Sequence, residues 1–192
     1  MVPAMGKRRS LGVEAVAGLM LLALAGCGDR PRDRGEAPVD AQASIGDVIG
    51  LPDDSSLVAP PGSPQRELAD FLASDDPAPR SFALDHNQFQ PWSDTPNQQT
   101  RATIAAVIQI LRAYPNAKLS ILGYTDNVGD AAANQRLSES RAGNFRDLLM
   151  AGGISGNRIA AAGMGMANPI GDNDTEEGRA LNRRLEMVVT AK

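Results

Sequence analysis

From about residue 80 to the C-terminus the chain alternates between two hydrophobic periods. "RSFALD" puts Phe82 and Leu84 on one side of a short run, the period of two that marks a half-buried strand. Thr95-Pro96-Asn97-Gln98 then reads as a helix start, with Thr95 as cap, proline at the first helical position and glutamine three residues after the cap. Behind it Ile104, Val107, Ile108 and Leu111 recur at i, i+3, i+4 and i+7, an apolar stripe that Pro115 and Asn116 end. "KLSILGY" predicts a second strand closed by Gly123. A long helix is expected from about Ala131 to Ala151, with Leu137, Phe145, Leu148 and Leu149 toward the core and Gly152-Gly153 as its stop. "RIAAAGMG" predicts a third strand. A short helix capped by Asp174 or Thr175 follows, and then "LEMVVT", in which Leu185, Met187 and Val189 alternate inward. This order predicts an α/β sandwich, a four-stranded mixed sheet with helices on one side.

Upstream the pattern dissolves. "GDRPRDRGEAPVD" and "LPDDSSLVAPPGSPQ" are rich in Pro, Asp, Gly and Ser, with few apolar residues to offset the cost of ordering. Residues 27–78 are therefore expected to be a mostly disordered linker, and residues 79–192 the folded domain. Inside the linker "PQRELADFLAS" sets Leu68, Phe71 and Leu72 at helical spacing, which predicts one brief amphipathic helix.

Residues 1–26 read as a signal peptide. Lys7, Arg8 and Arg9 form its positive start, and Ala15 to Ala25 form an apolar run of 11 residues. A bilayer span needs roughly 20. Leu24-Ala25-Gly26-Cys27 resembles the lipobox of bacterial lipoproteins, which implies cleavage before Cys27 and acylation of its thiol. The membrane would then be a partner through the N-terminal lipid. Gly28, in place of the aspartate that signals inner-membrane retention in enteric bacteria, implies an outer-membrane address facing the periplasm.

Composition narrows the chemistry. The net charge is −4, and residues 76–192 carry 12 Lys and Arg against 12 Asp and Glu, so there is no basic footprint for nucleic acid. The single cysteine and the single histidine, His86, leave no intrachain disulfide and no Cys/His metal cluster, and no cofactor is implied. "DNVGD" lacks the glycine position and closing glutamate of a calcium loop. Aromatic residues are 4%, so the core must be largely aliphatic.

The stretch "GYTDNVGDAAANQRLSESRA" concentrates what remains. Asp126 stands at the end of a predicted strand, Asn127, Val128 and Gly129 form the turn, and Asn134, Ser138 and Arg141 are spaced i, i+4, i+7 on the helix. That trio is expected on a face distinct from the Leu137/Phe145/Leu148 stripe. Asp126 and Arg141 either neutralise each other or grip a ligand carrying both charges. An arginine fork suits a carboxylate and an aspartate suits an ammonium, so the matching ligand is a free amino-acid end.

Four motifs occur in order: TDxxG, NxxLSxxRA, GxG…NP and TxxGRxxNRR. Together they resemble the OmpA-like C-terminal domain, shared with Pal and MotB, over roughly residues 80–192. The resemblance implies the OmpA-like βαβαβ(α)β sandwich and binding of the meso-diaminopimelate end of peptidoglycan stems. Asp126 would take the ammonium and Arg141 the carboxylate. Asn134 would line the pocket with Asn127, Val128 would contribute backbone, and Arg183 would stand at the edge. In "FQPWSD", Trp92 occupies the place of an asparagine that touches ligand in relatives, leaving either a hydrophobic wall or a rearranged loop there.

The expected function is thus a non-enzymatic outer-membrane lipoprotein that tethers the membrane to the wall. An interaction subunit contacting envelope proteins through the "RELADFLAS" helix is the alternative. A wall hydrolase pairing Asp126 with Glu139 or Asp130 is a weaker one.

Overall fold

The computed structural model of the protein describes residues 47–84, 89 and 93–192. In chain order these form β1 (Asp47–Gly50), β2 (Ser56–Ala59), α1 (Pro64–Ala73), β3 (Arg80–Ala83), α2 (Gln98–Ala113), β4 (Lys118–Gly123), α3 (Ala131–Ala151), β5 (Ile159–Gly163), α4 (Glu176–Asn182) and β6 (Leu185–Ala191). A 3-10 turn, Gly156–Arg158, precedes β5. The main sheet has the order β3-β6-β4-β5. β6 is antiparallel to both neighbours, whereas β4 and β5 are parallel and need the intervening α3 to cross over. One face of this sheet, carrying Phe82, Leu119, Ile121, Leu185, Met187 and Val189, is buried with residues of α1, α2 and α3 in a single core. The fold is the expected mixed four-stranded α/β sandwich.

Two rows of the sheet explain where α3 sits. The row Phe82–Met187–Ile121 is filled by large side chains. The next row, Leu185–Gly123–Gly163, is bare on β4 and β5, where both positions are glycine. A Cβ at Gly123 would collide with the backbone carbonyl of Ser138, and one at Gly163 with the Glu139 amide nitrogen. Helix α3 therefore rests its backbone directly on the strand ends, beside the turn that carries Asp126.

Residues 47–78 hold the brief amphipathic helix expected in "PQRELADFLAS", which is α1, but the rest of the segment is ordered where a mostly disordered linker is expected. β1 and β2 pair as an antiparallel hairpin, Val48 opposite Val58, and Leu51, Leu57 and Ala59 are buried. Ser63 caps α1 by accepting the Arg66 amide, and Leu68, Ala69, Phe71 and Leu72 line its buried side. The Phe71 and Phe82 ring centroids lie 5.6 Å apart, and Lys192 Nζ sits 3.9 Å over Phe71 while donating to the Ser74 carbonyl at 2.8 Å. A few well-spaced apolar residues suffice to fold this segment, because they add to an existing core instead of building their own. The apolar side of the "RELADFLAS" helix is thus covered by the chain itself.

Helix α2 starts later than predicted. Asn97, not Thr95, is the N-cap, its Oδ1 accepting the Thr100 amide at 2.8 Å, and Pro96 stays outside the helix in a bridge with Phe89. Both Thr and Asn cap well, and the bridge to Phe89 decides between them. At the other end Arg158 donates to three carbonyls, Leu111 at 2.9 Å, Tyr114 at 2.7 Å and Ala117 at 3.0 Å. The Leu111 and Tyr114 carbonyls close α2, where the helix itself supplies no further donor, and Ala117 leads into β4, so one guanidinium caps α2 and ties it to the strand ends that follow. Arg158→Ala is expected to cost about 2 kcal/mol, read as a drop of several degrees in the thermal midpoint. An unchanged midpoint would contradict that role.

Helix α3 corrects the two-face expectation. Its buried residues are Asn134, Ser138, Arg141, Ala142, Phe145 and Leu149, a single stripe, while Leu137 and Leu148 lie half-buried at its flanks. At 100° per residue these six positions stay within one sector. The polar trio is the N-terminal half of the core face. It is polar because that half covers the bare strand ends and the Asp126 turn.

Candidate functional site

The site forms where β4 runs out. Tyr124 N–H donates to the Arg184 carbonyl at 2.9 Å and Thr125 N–H to the Gly165 carbonyl at 2.8 Å, carrying the strand's pairing two residues past its end. Asp126 then turns the chain: its Oδ1 accepts the Val128 amide at 3.1 Å. Gly129 follows at φ +92°, a left-handed conformation that glycine adopts without strain. Asp130 opens α3 as its N-cap, accepting the Ala133 amide at 2.8 Å. From the first turn of α3, Asn134 Nδ2 donates back to the Val128 carbonyl at 2.9 Å, closing the turn on the helix.

Asp126 is 7% exposed, and its Oδ2 forms an ion pair with Arg183 Nη1 at 2.7 Å. Arg183 is the C-cap residue of α4, and its Nη2 meets Glu176 Oε1 at 2.7 Å. Burial alone would pull the Arg183 guanidinium down, but its hydrogen bonds to Asp126 and Glu176 outweigh that and hold it above the ordinary arginine value. The expected edge residue is therefore the partner of Asp126.

Arg141 is 8% exposed and forms no ion pair among the described residues. Its Nε donates to the Ser93 carbonyl at 3.1 Å, and its guanidinium carbon lies 5.0 Å from the Phe89 ring centroid. Burial, then the nearby Arg183 cation, pulls Arg141 below the ordinary arginine value, while Asp126 and Asp94 oppose the shift. Among the described residues neither Nη group of Arg141 donates a hydrogen bond. Among the described residues this almost buried cation thus keeps its forked end unspent, with an acid close enough to feel its charge.

The strap that orients Arg141 is residues 93–96. Ser140 Oγ donates to Asp94 Oδ2, and Asn144 Nδ2 donates to the Asp94 carbonyl at 3.0 Å. The Ser140 hydrogen bond lowers the Asp94 carboxyl from the ordinary aspartate value.

Other expected site residues fall differently. Ser138 is fully buried and offers no hydroxyl to a ligand: its Oγ donates to the Gln135 carbonyl at 2.8 Å and accepts the Gly165 amide at 2.9 Å. Val128 has both its amide and its carbonyl engaged inside the turn, so its 45%-exposed side chain, and not its backbone, faces outward. Asn127 is exposed. Asn134 keeps its Oδ1 without a donor among the described residues. Glu139 is exposed and accepts from Gln135 Nε2 at 2.8 Å. Cys27, His86 and Trp92 lie outside the described residues, and among those described no acidic cluster is arranged to hold a metal. Sequence reading missed Ser93, Asp94, Phe89 and Glu176. Glu176 had a local mark, a carboxylate three residues before Arg179 and seven before Arg183 behind a threonine cap.

Residues 88–183 match the OmpA family, a span that contains Asp126, Asn134, Arg141, Glu176 and Arg183. The chain belongs to the OmpA family. Its OmpA domain is 40% identical over 88 residues to the probable lipoprotein YiaD of Escherichia coli, covering 46% of this chain and 40% of that protein. It is 51% identical over 79 residues to the peptidoglycan-binding protein ArfA of Mycobacterium tuberculosis, covering 41% of this chain and 24% of ArfA. The chain thus spans less than half the length of these two relatives. Among solved structures, the cell wall anchor of the T6SS from Pseudomonas aeruginosa superposes with a TM-score of 0.53 at 25% identity, covering 67% of this chain and 97% of that one.

Proposed function

We propose that this OmpA-family chain is a non-enzymatic tether, lipid-anchored at Cys27 to the outer membrane, whose site binds the meso-diaminopimelate stem of peptidoglycan. One observation carries this reading: Arg141 is buried and anchored through Nε, yet among the described residues its fork is unspent, with the Asp126 carboxylate near enough to oppose the lowering of its pKa. Arg141 takes the ligand's carboxylate in bidentate fashion, as planar guanidinium favours. Asp126 takes the ammonium with a remaining lone pair, helped by Asn134 Oδ1. Arg183 stays at the edge as the counter-ion of Asp126, and the Val128 side chain lies against the ligand's methylenes. The names of ArfA, a peptidoglycan-binding protein, of the T6SS cell wall anchor and of the probable lipoprotein YiaD support the same reading.

A hydrolase has less behind it. Asp130 is committed to capping α3 and Glu139 to Gln135, so neither joins Asp126 in a carboxylate pair. The interaction-subunit reading loses its main feature, since the apolar side of α1 is buried in the domain's own core.

The test is a titration of the full-length chain, purified in detergent, with meso-diaminopimelate by calorimetry, alongside sedimentation with wall sacculi. Saturable binding and co-sedimentation are expected. Failure of both would refute the tether.

A further inference from the structure

Arg183 divides itself between two carboxylates. One outer nitrogen, Nη1, meets Asp126 Oδ2 at 2.7 Å, and the other, Nη2, meets Glu176 Oε1 at 2.7 Å. A guanidinium beside a single carboxylate tends to turn both nitrogens onto both oxygens, which here would saturate Asp126. We infer that Glu176 is a positioning residue for the ammonium side of the site: by holding Nη2 it keeps Arg183 one-handed on Asp126, so that the carboxylate retains capacity for a ligand's ammonium. This rests on the clamp proposed above.

Glu176 is itself held. Its Oε2 pairs with Arg179 Nη2 at 2.9 Å and accepts from Arg179 Nε at 3.0 Å, and Arg179 Nη1 reaches the Asn173 carbonyl at 2.8 Å. It is the first residue of α4, directly after the Thr175 cap, whose Oγ1 accepts the Gly178 amide at 3.0 Å. A Cβ at Gly178 would collide with the Asp172 backbone, so the helix start is seated against the preceding loop. The hydrogen bonds from Arg183 and then Arg179 lower the Glu176 carboxyl, keeping it charged.

The consequence runs through Asp126. Its Oδ1 already accepts the Val128 amide and its Oδ2 accepts one Arg183 nitrogen, leaving one lone-pair direction on each oxygen. With Glu176 neutralised, the released Nη2 turns onto Asp126 and occupies what the ammonium needs. Glu176 touches no part of the ligand in this arrangement; it acts only by restraining Arg183.

The experiment is a double-mutant cycle on the full-length chain, with calorimetric titration of meso-diaminopimelate into wild type, Glu176→Gln, Arg183→Gln and the double variant. Glu176→Gln is expected to weaken binding by roughly fivefold, the scale of a partly exposed ion pair. In the Arg183→Gln background the same change is expected to have no effect, because nothing remains to be restrained. A general disturbance of α4 would weaken binding in both backgrounds and overturn the inference. Unchanged affinity in Glu176→Gln would overturn it too, as would loss of binding in Arg183→Gln alone, which would make Arg183 a ligand contact. Absence of binding by the wild type would instead refute the clamp itself.

Discussion

Replacing Arg141 by alanine is expected to weaken meso-diaminopimelate binding by about a hundredfold, and Asp126→Ala by a similar factor, because each removes one partner of a largely desolvated charge pair with the ligand. The two residues are not each other's counter-ions. Asp126 is paired with Arg183, and Arg141 is anchored by the Ser93 carbonyl and the Phe89 ring. Removing Arg141 therefore strands no acid, and the thermal midpoint of Arg141→Ala is expected to move far less than its affinity. Arg141→Lys is expected to recover only part of the loss, since a point charge supplies neither the Nε anchor nor the two-pronged contact. Wild-type affinity in both alanine variants would remove the clamp. A collapse of folding in Arg141→Ala would instead make the residue a structural one.

Gly123→Ala is expected to destabilise the domain by roughly 3 kcal/mol, at the upper end of the range for overpacking, and to weaken ligand binding as well. The added methyl meets the Ser138 backbone carbonyl, and backbone in the middle of a 21-residue helix cannot swing aside as a side-chain end can. Relief comes only by lifting α3 from the sheet. Asn134 and Arg141 ride on the same stretch of helix, so a shift there moves both away from Asp126. Chemical denaturation and titration of the same variant read the two effects together. A variant as stable as wild type would show that α3 has slack over Gly123, against the packing described here.

The element order of residues 80–192 was legible because each element carries its own period. Leu185, Met187 and Val189 alternate, α3 is bounded by Asp130 and Gly152, and the glycines of the Asp126 turn sit where the chain reverses. Asp126, Asn134 and Arg141 were legible as a motif set for the same reason, since their spacing is local. Within residues 47–78 helix α1 is legible from the spacing of Leu68, Phe71 and Leu72, whereas the β1–β2 hairpin is not, because Leu51, Leu57 and Ala59 are sparse among Pro, Asp and Ser and need only to join an existing core. The spacing of Asn134, Ser138 and Arg141 suggests a ligand-facing side of α3 distinct from the apolar stripe, because side-chain chemistry alone does not tell a ligand face from the polar end of a core face. In the fold Asn134, Ser138 and Arg141 are buried, and each is satisfied or held by a group from another element.

By itself, then, the sequence determined the alternation of strands and helices, the glycine turn that ends β4, and the acid and arginine presented on either side of it. Only the tertiary structure decided that Asp126 pairs with Arg183, that Ser138 is spent on Gly165, and that among the described residues the fork of Arg141 stays open. The reason is physical: a hydrogen bond or ion pair depends on separation in space, and Asp126 and Arg183 are 57 residues apart along the chain, beyond the reach of any local period.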